Sequence, residues 1–189
     1  MTFDLQAALP VLVPKAVAWA EARAQEVMAS GVALNDAGLS IATRVGVANP
    51  EEIRVLVVPE LPRPIDPELQ QAALLTGLLG SSTLGLALGH AIYLRRGHAS
   101  ARLLSHECRH VHQYEQAGSI AAYLPTYLQQ IVSVGYENSP FEVDARAHEL
   151  VSPGFHRADT QRRAALVRFV TANNDLTLPW ADIWPRSKK

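Results

Sequence analysis

Only one cysteine, Cys108, occurs in the 189 residues. An intrachain disulfide framework is therefore excluded, and nothing in cysteine usage supports an oxidising compartment. Charge of one sign is also lacking. Seventeen Lys and Arg stand against 18 Asp and Glu, for a net charge of −1. The basic residues are scattered, so nucleic acid is not an expected partner. The N-terminus has no basic start leading into a long apolar run, because Pro10 and Pro14 interrupt it. A cleaved signal peptide is not expected there, and the cytoplasm is the expected compartment. Ala72 to Leu94 does lack Lys, Arg, Asp and Glu, and its length would cross a bilayer. However, Gly77, Gly80, Gly85 and Gly89 punctuate it, with Ser81, Ser82 and Thr83 among them. A buried helix end, a turn and a strand are expected instead of a membrane anchor. Repeats and low-complexity tracts are absent as well.

What is present suits one globular domain: 48% hydrophobic and 19% charged residues in a chain long enough to bury a core. A first helix is expected from Pro14 to Ser30, stopped by Gly31, with "NDAGLS" as a turn after it. "NPEE" has an N-cap and a Pro at the first helical position, which predicts a short helical turn. β-branched residues predict a strand from Ile53 to Val58, ended by Pro59. Asp66 and Pro67 open a helix reaching about Leu79, and "LGLALGHAIYLRR" reads as one strand. A helix from about Ser100 to Gln116, with Gly118 as terminator, carries the stretch SHECRH. A further helix follows, which Pro125 kinks or divides, and another starts at Ser139. Trp180 and Trp184 in the tail are expected to dock on the body. This order gives an α+β fold with helices gathered after a small sheet. Residues 1–48 form an N-terminal helical extension, 54–151 the core, and 152–189 a C-terminal helix and tail.

In SHECRH, His106 and His110 lie one helical turn apart on one face, so both imidazoles can share a metal ion. Glu107, offset by one position, can take a proton from a water that the metal acidifies. Leu104, Cys108 and Val111 face the other way and read as core, which makes Cys108 a buried small hydrophobe. A third ligand has to come from elsewhere. The candidates are His112, Glu115, Glu137, Glu142, Asp144, His148, Glu149 and His156. His112 points about 200° away from His110 and cannot join it. Six residues after His110, where some peptidases place a third histidine, stands Gln116. A carboxylate from a later helix is the remaining common solution, and "ENSPFEVDARAHE" offers several. Glu142 in that segment has a competing explanation, since Ser139-Pro140-Phe141-Glu142 is also a capping box. Tyr114, Tyr127, Tyr136 and His148 are candidates for hydrogen-bonding an oxyanion, with Tyr136 preferred because it precedes the Glu142 helix. Gln113 would bind substrate or face water; His90 reads as structural and His98 as exposed.

HECRH followed by "NSPFEVDAR" resembles the gluzincin branch of zinc metallopeptidases. It is more narrowly similar to small bacterial zincin-like domains with HExxHxxQ and a later N-x-P-x-E-x-[DE]-A segment. The resemblance spans about residues 54–151. It implies Zn²⁺ bound by His106, His110 and Glu142, Glu107 as general base, and a peptide or protein substrate. It also implies that "LGHAIYL" is an edge strand over the active-site helix. A zincin-shaped protein that binds metal without turnover is the alternative. In gluzincins an acidic residue often stands four after the ligand glutamate and orients a histidine. Arg146 occupies that place here, leaving Asp144 and Glu149 as substitutes.

Overall fold

The computed structural model describes residues 4–150. Within them lie six α-helices and a four-stranded mixed sheet, a mixed α+β architecture. The first helix, α1, runs Leu5–Ser30, starting well before the expected Pro14. Asp4 caps it by accepting from the Ala7 N–H at 3.1 Å. Pro10 and Pro14 both sit inside the helix on its exposed side, where water can serve the carbonyls they leave free. β1 (Val32–Ala33) follows. The "NDAGLS" segment is not a turn: α2 spans Asp36–Arg44, capped by the Asn35 side chain on the Gly38 N–H. The turn-like composition was the N-cap of a helix.

A 3₁₀ turn at Pro50–Glu52 leads into β2 (Arg54–Val58), and α3 runs Pro67–Thr76 behind its Asp66 cap. α3 stops at Gly77, whose φ of 76° lies in the left-handed region that favours glycine. "LGLALGHAIYLRR" is two strands rather than one. β3 (Gly85–Leu88) turns at Gly89 (φ 64°) into β4 (Ala91–Arg95), with Leu88 paired to Ala91. The strand order is β1-β2-β4-β3, with β2 and β4 parallel and the outer pairs antiparallel. β4 is therefore central, and the edge strand beside the motif helix is β3. α4 (Ala101–Ala117) carries the motif, capped by Ser100 and terminated by Gly118. α5 (Ile120–Val134) passes through Pro125 as one helix, and α6 spans Pro140–Ala147.

Strand alternation divides the core. Val55, Ile92 and Leu94 face α2 and α4 with Leu104, Cys108 and Val111, while Leu88, Ala91 and Tyr93 face α1 and α5. A third cluster joins α1 to α3 through Leu12, Ala16, Leu69 and Ala72. Thus α1 packs on the sheet and on both α3 and α5. Among the described residues no helix is long and apolar enough to cross a membrane. The expected tail features, including Trp180, Trp184 and His156, lie outside the described residues.

Candidate metal centre

His106 and His110 bring their Nε2 atoms to 3.2 Å from each other. The Glu142 carboxylate closes the triangle, 3.4 Å from His106 Nε2 and 3.2 Å from His110 Nε2. Ligands bonded to a tetrahedral ion at 2.0–2.1 Å stand about 3.3 Å apart, so these separations suit one metal ion without rearrangement. Two nitrogens and one oxygen are a donor set that zinc accepts, with a fourth position left for solvent. Glu142 is 1% exposed. His110 is buried, and the His106 side chain is 13% exposed.

The outer nitrogens fix the state of both rings. Gln113 Nε2 donates to Phe141 O at 3.0 Å and to Asp144 Oδ2 at 2.8 Å. Its Oε1 must therefore be the acceptor, taking the Tyr123 O–H at 3.0 Å and facing His110 Nδ1 at 2.9 Å. That makes His110 Nδ1 the protonated nitrogen and leaves a lone pair on Nε2. His106 Nδ1 faces Glu149 Oε1 at 3.1 Å, which sets the same tautomer. Two lone pairs and a carboxylate thus converge on one point. Arg102 holds the other oxygen of Glu149, and Leu150 N–H donates to the buried Ser105 Oγ at 2.8 Å, tying the end of α6 to α4.

Glu142 does not act as a helix cap. Ser139 makes no side-chain cap bond; its hydroxyl donates to Gln130 Oε1 at 3.0 Å. Glu142 instead accepts the Tyr127 O–H at 2.6 Å. Burial alone would raise its carboxyl, but hydrogen bonds from His106 and His110, which donate when their Nε2 atoms are protonated, and from the Tyr127 O–H hold it well below the usual range. Arg146, in the place of the missing acid, lies 3.7 Å from Glu142 and bonds the Glu137 carbonyl. Both proposed substitutes are used: Glu149 on His106, and Asp144 on His110 through Gln113. Arg109 grips Asp144 through two nitrogens, at 2.7 and 3.1 Å, and donates to Val45 O.

Glu107 is buried against β3. Its carboxyl accepts the Ala87 N–H, and a methyl group at Gly85 would fall 2.3 Å from its Oε1. Burial pushes the carboxyl up to about 7, with Glu142 adding to the rise and His110 and the Ala87 bond opposing it. Glu107, the two histidines and Glu142 all line one cavity, which Tyr127 and the half-buried Tyr136 also line. Its empty volume is about 1020 Å³, open mouth included.

Other candidates fall elsewhere. His112 bonds Gly46 O at 2.6 Å, and Glu115 serves Ala48 N–H, Asn49 N–H and His90. His148 turns back to Asp144 O at 2.8 Å. Gln113 is neither a substrate contact nor solvated, being 7% exposed. Its spacing, three after His110 on one helix, was the available signal for its role. Gly85 and Tyr123 gave no local signal, since each reaches the site only through the fold. Comparison with known protein families, curated proteins and solved structures gives no match.

Proposed function

We propose that the protein is a zinc-dependent hydrolase of peptide-type amide bonds, with His106, His110 and Glu142 as ligands. The observation that carries this reading is the convergence of two tautomer-fixed Nε2 lone pairs and a buried carboxylate. With both rings neutral, such a cluster is repulsive unless a cation sits at its centre. A zinc ion held there supplies Lewis acidity, acidifying a water and polarising a carbonyl. Glu107 accepts the proton of the attacking water and returns it to the departing nitrogen. Its carboxyl, raised by burial, is suited to a base working near neutral pH. Tyr136 lines the cavity with its hydroxyl bonded to Glu142, which supports assigning it the role of oxyanion donor. The Ala87 N–H aims the Glu107 carboxylate, while Glu149 and Gln113 aim the rings.

Comparing Glu107→Gln with wild type tests the assignment. Zinc content by mass spectrometry should stay stoichiometric while amide hydrolysis falls about 10²–10⁴-fold. Equal hydrolysis by the two proteins would remove Glu107 from the mechanism. Stoichiometric zinc without cleavage of any amide would leave a metal-binding protein that does not turn over.

A further inference from the structure

The cavity beyond the metal ligands is long and almost wholly apolar. On α1 it is lined by Leu5, Leu9, Leu12, Ala16, Trp19 and Ala20, a single helical stripe. Fifteen residues of helix separate its ends, about 22 Å of rise. α3 and α5 add to the wall, and among the described residues no Lys, Arg, Asp, Asn, Gln or Ser lines any part of it. Three of the hydroxyls that line it are already engaged. Thr76 Oγ1 donates to Ala72 O at 2.8 Å, Thr83 Oγ1 to Leu78 O at 3.2 Å, and Tyr123 O–H to Gln113.

A polypeptide laid along this channel would leave its own N–H and C=O groups without partners, at about 1–3 kcal/mol for each buried group. A hydrocarbon chain has no such groups and gains from every methylene buried. Among the described residues, the groups that could receive both the C=O and the N–H of an amide gather at the metal end, beside the β3 edge and Glu107. We propose that the channel holds an unbranched hydrocarbon tail, so that the substrate is an N-acyl amide with its carbonyl at the metal ligands. This rests on the amide-hydrolase reading and names its substrate. Water would add across the C–N bond, giving the fatty acid and the free amine. The proton that Glu107 takes from water leaves on the amine nitrogen. On this reading α1 and α3 form the tail-binding wall of the site.

The test is calorimetric titration of the metal-free, full-length protein with N-acetyl-, N-hexanoyl- and N-decanoylglycinamide, each below its micelle concentration. Affinity should rise about fourfold per added methylene. Ala73→Phe and Thr76→Phe, which project rings into the channel, should flatten the series while leaving the thermal transition in place. Equal affinity across the wild-type series overturns the proposal, as does tighter binding of a capped trileucine peptide than of the decanoyl amide. The wild-type series decides even where a variant fails to fold. Because it needs neither metal nor turnover, the two readings fail separately. A rising series in a protein that takes up no zinc counts against the hydrolase alone. A flat series beside zinc-dependent peptide cleavage counts against the hydrocarbon channel alone.

Discussion

Glu149 and Gln113 decide which nitrogen of each histidine is free, and a metal bound at Nε2 depends on that choice. Glu149→Gln weakens the acceptor on His106 Nδ1, and Gln113→Leu removes the one on His110 while stranding Asp144 beside Arg109. Each should lower zinc affinity about 10–100-fold, measured by competition with a chromophoric chelator. Equal affinity to wild type would show that the rings are held by packing alone. The candidate ligand pair His106 and His110 was legible in the sequence because a helix fixes where positions four apart point. Glu149 was legible as one of two substitutes for the missing acid, but not which histidine it would serve. It lies past the end of α6, and its place depends on the bond between Ser105 and Leu150, 45 positions apart. The capping-box reading of Glu142 was sound local chemistry, but the buried histidines and Tyr127 outcompete one backbone N–H for that carboxylate.

Elements meet most tightly where β3 crosses α4. Gly85 lets the Glu107 carboxyl lie against the strand, so the absence of a side chain is itself a positioning device. Gly85→Ala should push Glu107 off the Ala87 N–H. Hydrolysis should then fall about 100-fold, as for a base displaced by about 1 Å, with zinc content unchanged. Parallel loss of zinc would show that the strand supports the ligands instead. The helix ends at Asp66, Ser100 and Gly118 were readable because caps obey local rules. α2 was hidden by residues that serve caps and turns equally, and the β3–β4 hairpin by a turn as short as Gly89-His90. Which strand lies at the edge was not readable at all. The order β1-β2-β4-β3 makes a crossover that pairing energies of the whole sheet select.

For the whole molecule, a metal ion would join α4 to α6 across 32 positions of chain between His110 and Glu142. At a free zinc concentration 100 times Kd, binding adds about 2.7 kcal/mol to stability. For a domain this size that is about 5–11 °C in Tm, so chelation should lower the melting point by that amount in differential scanning calorimetry. An unchanged Tm would mean that no ion is held in the native state. The sequence by itself determined the motif helix, its caps, the buried Cys108 and the pair His106 and His110. These depend on neighbours within a turn or two, where backbone geometry alone sets direction. Tertiary structure decided that Glu142 stands with the two histidines rather than capping its helix, that Glu149 and Asp144 take the place of the acid missing at Arg146, and that α1 walls the cavity. Those outcomes depend on contacts between segments far apart in the chain, and on burial, which makes an unpaired carboxylate or lone pair costly enough to choose its partner.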